Sequence, residues 1–120
     1  MEKYKLGEME QRFADMIWDN APIPTSKLIK LCENIFDWKR TTTYTMLRRL
    51  IDRGLFQNDS GIVSVIIKKE DFLAGKGEEF LAESFEGSLP RFLTAFTKRK
   101  KLSEKEILEI QQIIDGYKEG

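Results

Sequence analysis

Histidine is absent from the 120 residues and cysteine occurs once, as Cys32. Without histidine there is no Ser-His or Cys-His catalytic pair, no imidazole metal ligand and no side chain that switches charge near neutral pH. A lone thiol excludes a disulfide within the chain and any multi-cysteine zinc site. No window approaches the ~20 consecutive apolar residues of a membrane span, and the opening MEKYKLG has no apolar signal core. The chain therefore reads as a cytoplasmic protein with no membrane partner. Net charge is also missing, because 20 Lys+Arg balance 20 Asp+Glu. What is present is 33% charged and 41% hydrophobic residues, the mix of a soluble, helix-rich globular chain rather than a disordered tail. The length fits one domain, or a small domain with an appendage. No cofactor is implied. An enzyme is disfavoured, since no nucleophile and base can be assigned.

The zero total hides charge sorted by segment. Between Lys39 and Arg53 five basic residues (Lys39, Arg40, Arg48, Arg49, Arg53) face one acid, Asp52. Between Glu70 and Glu86 six acids face only Lys76, and Lys98-Arg99-Lys100-Lys101 is a second basic cluster. Hydrophobic periodicity divides the chain further. Met9, Phe13, Met16 and Ile17 form the stripe of an amphipathic helix over 7–20. Ala21-Pro22-Ile23-Pro24 then interrupts it, since proline restricts both itself and its predecessor. Thr25 or Ser26 is placed to cap a second helix carrying Leu28, Leu31, Cys32 and Ile35 on one face. After Phe36-Asp37-Trp38 a third helix runs from Arg40 to Arg53 with Met46, Leu47, Leu50 and Ile51 inward, and Gly54 suits the position just past its end.

The period changes after Gly54. Leu55-Phe56 and the β-rich run from Ile62 to Ile67 flank the turn-forming residues Gln57 to Gly61, which predicts a β-hairpin. Ile23, between its prolines, offers a short third strand. Three helices and a hairpin outline a winged helix-turn-helix. Beyond it, Phe72, Leu73, Phe80, Leu81 and Phe85 are spread around Gly75 and Gly77, which weaken helix propensity. Phe92, Leu93 and Phe96 form another patch. Ser103 with Glu106 makes a capping box for a last helix carrying Ile107, Ile110, Ile114 and Tyr117. The fold expected is mainly α with a small β-hairpin: a winged-helix DNA-binding domain over 1–69 and a helical dimerisation domain over 70–120.

The third helix carries the chemistry. Opposite its apolar stripe it presents Arg40, Thr41, Thr42, Tyr44, Thr45, Arg48 and Arg49. Arginine forks donate to guanine O6 and N7 or to phosphate, and threonine offers a hydroxyl with a methyl that can touch thymine. Threonine is a mediocre helix former, so this density answers to something other than propensity. The competing reading of these residues alone is a solvated basic helix with a threonine-rich start. As a DNA reader, Lys39, Arg48 and Lys68 would contact phosphate, with Lys68 and Lys69 at the end of the wing. Arg40, Thr41, Thr42, Tyr44 and Thr45 would face base edges. A winged helix that docks protein instead of DNA is the alternative of another class. Lys98 to Lys101 suits either a phosphate contact or an exposed loop before the Ser103 cap.

Three stretches give the chain a family resemblance. They are Leu6-Gly7-Glu8-Met9-Glu10 through Met16-Ile17-Trp18; Trp38 with Thr42-x-x-Thr45-x-Leu47-x-Arg49-Leu50-x-x-x-Gly54-Leu55; and Phe92 to Ile114, containing Leu102-Ser103-x-Lys105-Glu106-Ile107. Through them the chain resembles the penicillinase repressor family (BlaI/MecI/CopY-type), small bacterial winged-helix repressors of β-lactam-resistance or copper-transport genes. The resemblance implies a dimeric repressor of double-stranded operator DNA, with Thr42, Thr45 and Arg49 where that family places DNA-facing residues. Two features depart from it. The Asn-Phe bond cut in the β-lactam branch is matched by Ala95-Phe96. The cysteine cluster of the copper branch has no counterpart in Tyr117-Lys118-Glu119-Gly120. A sensor or protease partner is left open.

The C-terminal third points the same way from its residues alone. About 50 residues bearing Phe72, Phe80, Phe85, Phe92, Phe96 and an isoleucine-rich helix are too few to bury that surface within themselves. Either two copies meet through it, or it packs back on its own N-terminal domain. The first predicts a homodimer through Phe80, Phe85, Phe92, Phe96, Ile107, Ile110 and Ile114. Cys32 reads as a small buried hydrophobe or as a redox thiol, without adjacent cations in helix register to lower its pKa. Trp18 and Trp38 read as core or junction residues, or as binding platforms.

Overall fold

The computed structural model describes residues 4–120. In chain order it contains helix α1 (Glu8–Asn20), strand β1 (Ile23–Pro24), helices α2 (Thr25–Phe36) and α3 (Arg40–Asp52), strands β2 (Phe56–Asp59) and β3 (Ile62–Val65), and helices α4 (Lys69–Ser84), α5 (Leu89–Arg99) and α6 (Glu104–Glu119). The three strands form one antiparallel sheet in the order β1-β3-β2, with Ile23 opposite Val63 and Phe56 opposite Val65. This is a winged helix followed by further helices.

Local chemistry explains the boundaries. At the start of α1 the Glu10 carboxylate accepts from the Gly7 N–H at 3.0 Å, satisfying one of the donors a helix start leaves open. The start of α2 differs from expectation. Neither Thr25 nor Ser26 caps it; Pro24 holds the cap position with no side-chain bond. Strand β1 runs straight into the helix, and the Thr25 N–H donates to the Gly61 carbonyl at 2.9 Å, so the sheet satisfies what a cap would have. Helix α3 ends where Gly54 adopts φ +81°, with the Gly54 N–H on Ile51 O at 2.8 Å and the Leu55 N–H on Leu50 O at 3.2 Å. That doubly bonded ending requires a left-handed residue, which glycine takes without steric penalty. The β2–β3 turn is tighter than the 57–61 span expected. The ladder continues to Asp59 opposite Ile62, leaving only Ser60 and Gly61, both at positive φ, as a two-residue turn matched to the sheet's twist.

The chain divides into two compact units, the first running through Glu79 and the second spanning Phe80–Gly120. In the first, Phe13, Ala14 and Ile17 of α1 meet Leu28 and Cys32 of α2, Leu47 and Leu50 of α3, and Leu55, Phe56 and Val63 around the sheet. Trp18 lies 5.3 Å from Phe56 and 5.4 Å from Phe72 by ring centroids, and its indole N–H donates to Ile67 O at 3.0 Å. Trp38 packs edge-on against Phe13 at 5.2 Å. Both tryptophans thus belong to the packing rather than to a binding platform. Phe72, C-terminal to the boundary expected at 69/70, is fully buried in this first core.

Ile35 departs from the stripe assigned to it. It is 56% exposed, because α2 ends one residue later and Asp37 turns left-handed at φ 56°. Phe36 takes the inward place instead, its ring 4.7 Å from Trp38. Helix α4 also runs unbroken through Gly75 and Gly77, whose low propensity is overridden by the anchoring of Phe72. In the second unit Phe80, Phe85, Phe92 and Phe96 form a continuous aromatic cluster with neighbouring centroids 5.5–5.9 Å apart. Ser103 and Glu106 form the capping box that opens α6.

Candidate DNA-binding face

Helix α3 is held from behind by Thr43, Leu47 and Leu50, all buried, at spacings of four and three. Thr43 is the residue that reading the helix as one apolar stripe missed, although its spacing to Leu47 and Leu50 marks it. It is 1% exposed and directs its hydroxyl toward Lys39 O at 3.4 Å, so its polar atom is satisfied inside the helix while its methyl packs. With this side fixed, Lys39, Arg40, Thr41, Thr42, Tyr44, Thr45, Arg48 and Arg49 are all exposed. The sequence-predicted group is thus gathered on one helix and its leading residue.

Two rows run along this face at one-turn spacing. In the first, Arg40 lies over the Tyr44 ring, its guanidinium carbon 5.7 Å from the centroid, with Arg48 one turn further on. In the second, the Thr45 hydroxyl donates to Thr41 O at 3.0 Å. Thr45 is exposed, and with its hydroxyl proton committed it offers that oxygen to a partner only as an acceptor. Arg49 approaches the Met46 sulfur at 3.6 Å, a weak contact that leaves its fork available. Beside the first row, Tyr44, Leu47, Arg48, Ile51, Asp52 and Asn58 line a cleft between α3 and the wing.

The remaining basic candidates are distributed differently. Lys68 is exposed but lies beyond the wing, next to the start of α4, where its carbonyl accepts from the Phe72 N–H at 3.0 Å. Lys69 forms an ion pair with Asp15 at 3.1 Å, tying α4 to α1. The sequence holds no signal for this pair, since the two residues meet only after the chain has folded. Arg53 is turned away from the α3 face and donates to Lys5 O. The wing tip, Asn58 to Gly61, carries no cation; its one charge is Asp59, and the Asn58 side chain accepts from the Gly61 N–H at 3.0 Å.

Cys32 is fully buried with its sulfur 3.9 Å from that of Met16. Burial pushes its pKa up to about 11, outweighing the opposing hydrogen bond with Thr43. It behaves as a small hydrophobe rather than a redox thiol.

The second candidate surface lies in the second unit. No residue from Phe80 to Gly120 is buried. Ile107 is 53%, Ile113 70% and Ile114 45% exposed, whereas Ile110 is half-buried. The aromatic candidates meet as one cluster, and Ile107, Ile110 and Ile114 follow one another along α6 at helical spacing. Ala95-Phe96 lies within α5.

Comparison with known proteins agrees with this architecture. A family model described as Penicillinase repressor matches residues 6–116. The penicillinase repressor of Bacillus licheniformis is 30% identical over 118 residues, covering 95% of this chain and 92% of that protein. The chain belongs to the penicillinase repressor family. A methicillin resistance regulatory protein MecI of Staphylococcus aureus is 22% identical over 116 residues, with 93% of this chain and 94% of the relative covered. The MecI of Mammaliicoccus sciuri is 21% identical over the same length. Members of the family are transcriptional regulators, not enzymes. None of the described helices is long and apolar enough to cross a membrane.

Proposed function

We propose that the chain is a cytoplasmic, homodimeric winged-helix repressor that binds a palindromic operator and blocks transcription of a resistance or transport operon. The observation that carries this reading is the exposed face of α3, where threonines, arginines and a tyrosine project from a helix whose other side is locked into the core. The relatives' names, a penicillinase repressor and methicillin resistance regulators, support the class of operon.

Arg40, Thr41, Thr42, Tyr44 and Thr45, near the helix N-terminus, enter the major groove and read base edges. Arg49 follows on the same helix. Lys39, Arg48 and Lys68 neutralise phosphates and set register. Zero net charge is no obstacle, because DNA responds to the local basic face. The uncovered apolar residues of the second unit pair two copies through a two-fold interface. Such a dimer places two recognition helices one helical turn of DNA, or a multiple of it, apart. Repression is then steric and needs no chemistry.

The test is selection from a library of random duplexes by the full chain, followed by titration of the enriched site at several salt concentrations. An inverted repeat should emerge, with log K falling by about 0.9 per phosphate neutralised for each unit of log salt. Light scattering over a range of concentrations should give a dimer. Failure to enrich any sequence would favour a protein-docking winged helix, and a monomer at every concentration would remove the dimer.

A further inference from the structure

Arg40 and Tyr44 stand one turn apart on α3, and both are exposed. The guanidinium carbon lies 5.7 Å from the Tyr44 ring centroid. The ring is 39% exposed and borders the cleft that Leu47 and Ile51 also line. A guanidinium held over an aromatic ring within about 6 Å is restrained by the π-system, and its N–H edge can stay free. That edge is the fork that meets O6 and N7 of guanine with two parallel hydrogen bonds. An unsupported arginine at the first position of a helix would lose more rotamer freedom when docked on a base than one already held.

We infer that Tyr44, besides facing base edges itself, is a positioning residue for Arg40: it holds the guanidinium edge-outward, so that the base pair facing Arg40 is read as guanine. The inference rests on the DNA-binding reading above and deepens it. It divides the labour along the face. The first row reads a guanine through a ring-supported fork. The second row presents the Thr45 oxygen as an acceptor, its hydroxyl proton being committed to Thr41 O.

The experiment uses the full chain and the duplex enriched by selection, with each base pair of one half-site replaced in turn. Arg40→Ala should abolish the preference for guanine at one position. Tyr44→Ala should lower the preference at that same position about two- to fivefold, the range expected of an exposed cation–π contact. In the Arg40→Ala background it should change that preference no further. Tyr44→Phe, which keeps the ring, should restore the preference. Thermal unfolding of each variant controls for folding, which a position-specific change in preference does not report. An equal effect of Tyr44→Ala with and without Arg40, or no effect on guanine preference, overturns the inference while leaving DNA binding intact. Failure to enrich any duplex instead defeats the underlying reading, and the inference with it.

Discussion

Two glycines in α4 should respond to the same substitution with opposite signs. Gly77 has open space where a Cβ would stand, with nothing within 4 Å. Gly77→Ala should therefore gain only the helix-propensity difference, about 0.5–1 kcal/mol. Gly75, two residues earlier, is buried, and a Cβ there would run into the Tyr4 ring. That ring packs against Phe72 with centroids 5.7 Å apart, and Phe72 is fully buried. Gly75→Ala has the same propensity gain but must displace Tyr4, and overpacking of this kind costs about 1–3 kcal/mol. The net should be a loss of up to about 2.5 kcal/mol by that difference. Urea or thermal unfolding followed by tryptophan fluorescence is a suitable assay, because Trp18 touches Phe72 and both tryptophans lie in the first unit. Protein concentration must be held constant, since association shifts apparent stability. Removing the ring supplies the control: in a Tyr4→Ala background, Gly75→Ala should become stabilising, as Gly77→Ala is. If Gly75→Ala stabilises the otherwise unaltered chain as much as Gly77→Ala does, the close packing of Tyr4 on α4 is wrong.

Other expectations follow from the same packing and from the α3 face. Leu28→Ala should cost about 2–5 kcal/mol, while Ile35→Ala should stay within about 0.5 kcal/mol despite sharing its helix; comparable losses in urea titrations would return Ile35 to the core. The raised thiol pKa of Cys32 stabilises the folded state at and below the ordinary value of 9.0, and this contribution fades as pH rises toward about 11. The difference in unfolding free energy between the wild type and Cys32→Ala should therefore be flat below that window and fall within it, and a flat difference throughout would refute the burial effect. Thr45→Ala should lose about 1–3 kcal/mol at one base position, whereas Lys68→Ala should weaken all duplexes alike. A uniform loss from both would mean that Thr45 reads no base. Ile107→Lys combined with Ile114→Lys should shift light scattering toward monomer, and an unchanged dimer would place the interface elsewhere.

The legible part of the fold was the part governed by near neighbours in the chain. Spacings of three and four residues located α1, α2 and α3, the paired prolines marked β1, and Gly54 marked the end of α3. The capping box at Ser103 needed only three residues of context. Whatever depended on partners distant in sequence was not legible. Thr25 has the chemistry of a cap, but its N–H is taken by the carbonyl of Gly61, 36 residues away. Lys69 reads from the sequence only as a cation at the end of the wing, and its partner Asp15 lies 54 residues earlier in the chain. Gly75 reads as a weakness of a helix because propensity cannot register Tyr4, 71 residues earlier in the chain, whose ring closes over it. On α3 the exposed residues were readable because an amphipathic helix declares its outside by what is left over. Thr43 alone escaped, since threonine serves equally on either side when its hydroxyl bonds back to the preceding turn.

The two units differ in how far each buries its own apolar surface, and this difference bears on how the protein works. The first has a closed core of buried residues from every helix and strand around it, so it can hold α3 rigidly and present polar groups outward. A rigid scaffold of this kind favours recognition, because contacts are lost steeply when supporting residues wander. The second unit has helices with well-formed caps but no buried residue at all, and apolar exposure approaching half or more at Ile107, Leu108, Ile113 and Ile114. Helices of this length gain most of their stability from burying an apolar face, not from propensity. On the dimer reading, the second unit becomes stable only as two copies meet, so the spacing of the two recognition helices is set by the same event that stabilises their carriers. A signal that separates or unfolds this unit would then release DNA without touching a residue of α3.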